Sequence, residues 1–392
     1  MNKNMVITGG GIGGLAAALA SARAGWQVEL LEQSPVFGEV GAGIQLGPNV
    51  VRLLRAMGLE GALRQVAAFP SQLEVRNAIS TELLGVLPLG KSMEQRYGAP
   101  YVSIARADMH SLLLNAVRGQ GSTDLHLDSR VIDITQDAAH VNVQTVQDRH
   151  FEAPLMVGAD GLWSRARRQV IDNDVAPRVT GHLAFRAMVP QSDLPAALRS
   201  QVVTAWMGPD FHAVHYPVRS GDWLNVVCIV HGKVSGDPQS WDHSANASEL
   251  RSRMALARGS LHDLIHAIGS WRLWPLSDRE PMTSAAQQAR GRIALLGDAA
   301  HPMRPYLAQG AGMAIEDAAT LAQCISENPQ QIAQALSRYA HLRWQRNARV
   351  QARAIRNGQI YHLKGLRQLG RDMALKLLGS RLMDVPWLYN GP

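Results

Sequence analysis

Cysteine is nearly missing from this sequence: Cys228 and Cys324 are the two in 392 residues. Two thiols so far apart imply no disulfide framework and suit a reducing compartment, the cytoplasm. Aromatic residues are also sparse, at 5%. A nucleic-acid surface would interleave stacking aromatics with basic residues, so the surplus of Lys and Arg over Asp and Glu (39 against 32, net +7) is not read as one. That surplus is thickest from Arg338 to Arg356, where a solvated helical face accounts for it, and the positive field would draw in small anions. Charged residues reach 18% against 46% hydrophobic, which excludes a disordered chain and provides for a sizeable core. No stretch approaches the ~20 uninterrupted apolar residues of a membrane span. The N-terminus runs straight into a strand, with no basic segment, apolar core and cleavage site of a signal peptide. No repeat or low-complexity segment is present, and the length fits two domains better than one.

Glycine, by contrast, is abundant and sits in informative places. Met5-Val6-Ile7-Thr8 reads as a strand, Gly9 to Gly14 as a loop, and Leu15 to about Arg23 as a helix of small residues. Gly9, Gly11 and Gly14 fit G-x-G-x-x-G, with Gly13 inside it. The first glycine permits the tight turn, the second lets backbone approach a pyrophosphate, and the third lets helix pack on strand. The helix N-terminus offers N–H groups and a positive dipole end to phosphates. A second strand, Val28 to Leu31, ends at Glu32, eighteen residues past Gly14, where an acid binds ribose hydroxyls. This loop alone leaves FAD and NAD equally open.

Two later stretches repeat the pattern of a buried strand ending in a glycine-flanked Asp. Leu155-Met156-Val157-Gly158-Ala159-Asp160-Gly161 leads to Ser164 and Arg167 on a new helix. Ile293-Ala294-Leu295-Leu296-Gly297-Asp298 leads through His301-Pro302 to Gln309-Gly310-Ala311-Gly312 and a helix from Ala314 to about Cys324. Carboxyl ends of strands are where open α/β sheets bind ligands. Between these stretches lie Gly38 to Asn49, whose glycines alternate with Val40, Ile44 and Leu46 as in a packed loop, and a helix from Val50 to Met57 capped by Asn49. Residues 71–100 and 177–280 read mostly as alternating strands, with one helical stretch from Glu249 to about Ile268. On the strand His212 to Tyr216, the side chains of His212, Val214 and Tyr216 share a face and His215 points away. From Pro329 to about Lys376 the chain is helical and basic.

The three stretches, in this order and spacing, resemble the flavin-dependent aromatic hydroxylases, the single-component FAD monooxygenases of the salicylate hydroxylase and para-hydroxybenzoate hydroxylase type. The resemblance covers nearly the whole chain. It implies an α/β fold: a Rossmann-like, para-hydroxybenzoate hydroxylase-like FAD-binding domain (1–70, 101–176 and 281–330), an inserted and mainly antiparallel β substrate domain (71–100 and 177–280), and a C-terminal helical segment (331–392). It implies tightly but non-covalently bound FAD, held through Gly9, Gly11, Gly13, Gly14, Glu32, Gln45, Arg106, Asp160, Asp298, Gln309, Gly310, Ala311 and Gly312. NADH or NADPH would visit near Asp160 and Arg167 without a domain of its own. A homodimer is common in such relatives.

Within that family, Val179-Thr180-Gly181-His182 with Arg186, Gly208-Pro209 through His212 to Tyr216-Pro217, Asp278 to Pro281, Tyr361-His362 and Trp387-Leu388-Tyr389 are similar to 3-hydroxybenzoate 6-hydroxylases. Met303-Arg304-Pro305 is instead similar to 6-hydroxynicotinate 3-monooxygenases, which carry His where this chain has Tyr306. The implied reaction is NAD(P)H reduction of FAD, formation of a flavin hydroperoxide with O2, and electrophilic transfer of OH to the ring of a small aromatic acid. Such a site must be dry, and a phenol is best attacked as phenolate, which calls for a base. On pattern alone His212 is an ordinary strand residue. Its place in the resemblance makes it the expected catalytic base, with Tyr216 as donor or anchor and Tyr306 and Pro305 lining the substrate pocket. Arg186, Arg279 and His301 remain alternative partners for a substrate carboxylate. A flavin oxidase without oxygen insertion, or a cofactor-poor binding protein, are the readings from other classes.

Overall fold

The computed structural model describes residues 3–38, 42–232 and 243–391. Glu39, Val40 and Gly41 of the second glycine-rich loop therefore lie outside the described residues. Two large sheets dominate. The first has six strands. Asn4–Thr8 lies near its middle, parallel to Gln27–Leu31 on one side and to Met156–Gly158 on the other. Thr123–His126 and Ile293–Leu295 extend it in parallel, and Ala289–Arg290 closes one edge antiparallel. The three strands that end in the glycine-rich loop, Asp160 and Asp298 are thus neighbours, although each follows the last by roughly 140–150 residues. Because they run parallel, their carboxyl ends open on one edge of the sheet, the usual ligand edge of an α/β fold. The helix Ile12–Arg23 covers this sheet and packs on the helix Gly310–Glu327. Its alanines are buried nearly all round, which is why it shows no clear apolar stripe in sequence.

The second sheet has eight strands, built from residues 72–88 and 178–278. Its pairs are antiparallel except Val203–Gly208 on Gln72–Asn77, which run parallel. The strand Phe211–Val218 lies inside it, flanked by Val203–Gly208 and Trp223–His231. Arg178–Pro190 pairs with the other side of Trp223–His231, and the register sets His182 directly opposite His231.

Some local expectations shift. The helix expected from Val50 begins at Pro48, whose fixed φ presets the first turn, and Gly47 rather than Asn49 is its N-cap. Asn49 instead turns inward and donates Nδ2 to Glu316 Oε1 at 2.7 Å. The stretch 249–268 is two helices, Ala247–Arg253 and Gly259–Ala267, broken at Gly259 with φ +57°. The C-terminal region is likewise interrupted: Ile332–Tyr361 ends at His362, and Gly365–Leu378 starts after a turn at Gly365. That second helix leaves Leu366, Leu369, Met373 and Leu377 exposed at helical spacing. No helix among the described residues is long and apolar enough to cross a membrane.

Candidate functional site

At the sheet's carboxyl edge, the first loop turns at Gly9 with φ +100°. A Cβ on Gly14 would lie 1.8 Å from the Gly9 carbonyl oxygen, so glycine is obligatory where helix meets strand. A Cβ on Gly13 would press on Leu296 at 2.8 Å, so this residue lets the first helix approach the third strand. Gly11, by contrast, has nothing within 4 Å of where a Cβ would stand. It faces open space at the helix N-terminus, which no side chain caps. Unspent N–H donors beside such a space suit a pyrophosphate. Glu32 closes the loop from the next strand, accepting from Gly10 N at 2.6 Å and Ser34 N at 2.8 Å.

The third loop is fixed from below by a buried ion network. Asp317, fully buried, accepts from Gly297 N at 3.2 Å, and its Oδ2 lies 2.5 Å from His301 Nε2. Its other oxygen takes Arg343 Nε at 2.7 Å and Asn347 Nδ2 at 2.9 Å. Burial would raise this carboxyl, but His301 and Arg343 outweigh it and hold it at about 2. Glu316 beside it binds Arg343, Arg346 and Asn49. The result is that Gly297 and His301, which flank Asp298, are both tied down, while Asp298 itself stays exposed. Gln309 is the N-cap of Gly310–Glu327 without a capping side-chain bond, so a second uncapped helix start, carrying Gly310, Ala311 and Gly312, faces the same edge. A Cβ on Gly312 would strike Val50 at 2.8 Å. The residues present therefore fit a dinucleotide: an open glycine cradle, two helix N-termini and an exposed carboxylate on a rigid loop.

Asp160 and Arg167, expected to serve the reductant, are engaged within the protein. The Asp160 carboxylate accepts from Ser164 Oγ at 2.5 Å, Arg165 N at 2.7 Å and Ala166 N at 3.2 Å. Arg167 donates to the carbonyls of Ala299 (3.0 Å) and Ala300 (2.7 Å) and pairs with Asp174. It thereby couples the second loop to the third. Arg106 starts its own helix and donates its N–H to the Ala42 carbonyl at 3.0 Å. Gln45 accepts from Tyr101 Oη at 2.8 Å.

The face of the eight-stranded sheet turned toward the C-terminal helices carries an imidazole cluster. His212 Nδ1 lies 2.7 Å from His362 Nε2, and His362 Nδ1 lies 3.0 Å from His231 Nε2. His182 stacks on His231 at 4.5 Å and its Nδ1 is hydrogen-bonded to the Tyr306 hydroxyl. The rings of Tyr306 and Tyr361 stand edge-on to His212 at 5.0 and 5.3 Å. Gly358 admits the Tyr306 ring, since a Cβ there would come 2.5 Å from Cε2. Pro305, the other expected pocket residue, is exposed at the start of a one-turn helix. Burial, reinforced by neighbouring imidazoles, pushes His212 well below the ordinary histidine range, His362 to about 3 and His182 to about 4. All three are neutral near pH 7, and the same burial makes each a weaker base than a free imidazole. His182, His231 and His362 also bring ring nitrogens within 4.8 Å of one another, a spacing a metal could use. Both nitrogens of His362 are already hydrogen-bonded to His212 and His231, which accounts for the cluster without an ion.

Tyr216 shares the strand with His212, but its hydroxyl donates to the Gly43 carbonyl at 2.7 Å. It ties the sheet to the strand Gly43–Leu46, with Asn225 Oδ1 accepting from Gly43 N at 2.6 Å beside it. Of the three candidates for a carboxylate, Arg279 is paired with Asp174 and His301 with Asp317. Arg186 lies over the Trp274 ring at 5.0 Å, and its buried Nε has no hydrogen-bond partner. Sequence reasoning gave no role to His182, His231 and His362, because cross-strand register and a helix end bring them together. It missed Asp317 and Arg343 entirely. An acid and an Arg inside apolar helices were the available signals for those two.

Comparisons with known proteins agree with this fold and with FAD as its dinucleotide. A family model described as an FAD binding domain matches residues 3–354. A 3-hydroxybenzoate 6-hydroxylase from Polaromonas naphthalenivorans is 38% identical over 391 residues, covering 98% of this chain and 95% of that protein. A 6-hydroxynicotinate 3-monooxygenase from Bordetella bronchiseptica is 35% identical over 349 residues, covering 88% and 89%. Among solved structures, a salicylate hydroxylase substrate complex superposes with a TM-score of 0.82 at 27% identity, covering 99% of this chain and 95% of that one.

Proposed function

The chain belongs to the FAD-binding domain family of aromatic-ring monooxygenases, and on that premise we propose that it hydroxylates the ring of a monohydroxylated aromatic acid, 3-hydroxybenzoate- or salicylate-like, with NAD(P)H and O2. The observation that carries this is His212: a buried neutral imidazole, with Nδ1 taken by His362, facing Tyr306 and Tyr361 on an aromatic-lined strand. FAD, when bound, supplies hydride acceptance from NAD(P)H and the activation of O2. The chain's own residues do the rest. Gly9, Gly11, Gly13, Gly14 and Glu32 receive the ADP half; Gln45, beside Tyr101, and Arg106, close enough to Asp298 to act on its charge, are further cofactor contacts. Asp298 and the start of Gly310–Glu327, with Gln309 to Gly312, receive the far half, and the N–H donors of that helix start favour negative charge there. Asp160 and Arg167 hold the second loop in register with the third at the reductant's approach.

His212 takes the phenol proton and leaves the ring electron-rich. Arg186, with its unpartnered Nε over Trp274, is the group best placed to receive the carboxylate. Tyr306 packs as a wall of the pocket beside Pro305, and Tyr216 holds the wall in place through Gly43. A second substrate reading, an N-heteroaromatic acid such as 6-hydroxynicotinate, is favoured by the Met303-Arg304-Pro305 loop and the 35% identity to a 6-hydroxynicotinate 3-monooxygenase. The uncovered stripe Leu366, Leu369, Met373 and Leu377 supports a homodimer, and a cytoplasmic location goes with this reading.

The test is a screen of substituted benzoates and hydroxypyridine acids for stimulated NADH oxidation, with product identification. Hydroxylated product matching NADH consumed is expected, and NADH oxidation yielding only hydrogen peroxide would overturn the proposal. Asp298→Ala should lower flavin occupancy.

A further inference from the structure

The short turn Pro386–Tyr389 is fastened to the protein by two arginines. Arg52 donates Nη2 to the carbonyls of Tyr389 at 3.0 Å and Asn390 at 2.6 Å. Arg346 donates to those of Trp387 and Leu388, each at 2.8 Å. Four successive carbonyls, the orphan acceptors of a helix end, are thus capped by guanidinium groups. A third arginine, Arg349, covers the Trp387 ring at 3.9 Å. Arg346 also binds both oxygens of Glu316, at 2.6 and 2.7 Å. The turn is therefore tied to the same ion network that fixes the third loop.

What the turn carries inward is the Tyr389 ring. It is buried, stands edge-on to Tyr101 at 6.3 Å and tilted to Tyr97 at 5.4 Å. A Cβ on Gly47 would come 3.1 Å from its Cδ1. Tyr101, also buried, donates its hydroxyl to Gln45 Oε1 at 2.8 Å. Burial holds that hydroxyl well above the ordinary tyrosine range, so it stays a donor at any working pH. An amide whose oxygen is taken in this way has its NH2 group turned to the other side. Tyr216 stands close enough for the amide to act on its hydroxyl. The amide has two N–H donors, so at least one is left for a ligand. The strand that bears Gln45, Gly43–Leu46, follows Ala42, whose carbonyl takes the Arg106 N–H. Arg106 lies close enough to Asp298 to act on its charge, so Gln45 sits on a strand anchored beside Asp298.

We propose that the turn Pro386–Tyr389 is a positioning element for the cofactor: Tyr389 holds Tyr101, and the Tyr101 hydroxyl orients the Gln45 amide so that an N–H meets FAD. The proposal rests on the reading of Gln45 as a cofactor contact. The gain is preorganisation. A free glutamine side chain has rotamer freedom to lose and an amide that can face either way. One that is pinned before the cofactor arrives loses little on binding. The device consists of ring packing and neutral hydrogen bonds, so it needs no proton or electron to move. Tyr101 and Tyr389 act through Gln45 and are positioning residues, not catalytic ones.

The experiment uses the FAD-loaded protein and needs no turnover. The protein is diluted, and FAD release is followed by the rise in flavin fluorescence, which gives the dissociation constant. Gln45→Ala should raise that constant ~10-fold. Tyr101→Phe, which keeps the ring and deletes the hydroxyl, and Tyr389→Ala, which removes the ring behind it, should each do the same. Tyr389→Phe keeps the ring and should match the parent. The decisive comparison repeats Tyr101→Phe and Tyr389→Ala in the Gln45→Ala background, where neither should weaken FAD further. A general loosening of the fold would weaken FAD equally in both backgrounds. Should Tyr389→Ala not fold, Tyr389→Leu, which fills most of the ring's volume, takes its place in the same comparison. Losses that persist in the Gln45→Ala background would overturn the positioning role and leave Gln45 as a contact, as would parent-like affinity in Tyr101→Phe or in the Tyr389 variant. Parent-like affinity in Gln45→Ala would overturn the contact and the proposal with it.

Discussion

Two buried polar clusters sit in this protein, built on opposite principles. Under the third loop, Asp317 and Glu316 are charged, saturated with Arg343, Arg346, Asn49, Asn347 and His301, and closed to solvent. On the β-sheet face, His182, His212, His231 and His362 are uncharged, loosely chained, and open at one end. The first fixes backbone, holding Gly297 and His301 on either side of Asp298. The second bonds side chain to side chain, through its ring nitrogens and the Tyr306 hydroxyl. A charge that is fully paired is inert and rigid. A neutral imidazole in a buried site needs no counter-ion, and gains a charge only at a cost.

The sharpest break in this contrast is Arg343→Met. It leaves Glu316 and Asp317 buried without their shared cation, and should destabilise the protein by about 3–5 kcal/mol. Urea unfolding monitored with FAD occupancy would measure it, and both should fall together. His212→Ala touches the other cluster and should behave in the opposite way. Hydroxylation is expected to drop ~10²–10⁴-fold while flavin binding stays near the parent value and the urea midpoint falls less than in Arg343→Met. Arg186→Met should raise KM for the aromatic acid ~10–100-fold, the worth of a lost hydrogen bond to a charged group, with a smaller change in kcat.

The mildest test uses pH. Both clusters hold their groups below the ordinary values, so both lose stability as pH falls, but in different windows. The imidazoles contribute fully above the unfolded histidine value of ~6.5 and fade toward the folded values of about 4 for His182 and about 3 for His362. Asp317 contributes above the unfolded Asp value of ~3.9 and is lost as pH approaches its folded value of about 2. Stability followed from pH 8 downward should therefore fall in two limbs. His362→Asn should flatten the upper limb and leave the lower one in place.

How much of this could be read in the sequence follows from how local each signal is. The cofactor edge was legible because each of its parts, Gly9 to Gly14, Asp160 and Asp298, announces itself within a dozen residues by a strand that ends in glycine. The parallel pairing that makes these strands neighbours follows from the fold the motifs imply. The imidazole cluster was not legible beyond His212. His182 and His231 become neighbours through an antiparallel register, and His362 arrives from a helix end some 150 residues further on. Alternation placed Tyr216 on the face of His212, yet it could not reveal that the hydroxyl is given to Gly43. Arg167 read as a charge for a visiting nucleotide, and only three dimensions show it holding the carbonyls of Ala299 and Ala300. Asn49 misled for a local reason: Asn is a good cap, but the proline before it started the helix first.

The central claim is that this chain places one atom of dioxygen on an aromatic ring. The most direct measurement is turnover under 18O2 with NADH and the aromatic acid that stimulates its oxidation most strongly, followed by mass analysis of the product. One 18O atom in the ring hydroxyl, with product equal to NADH consumed, is the predicted result. Oxidised NADH accompanied only by labelled hydrogen peroxide and an unaltered ring would contradict it.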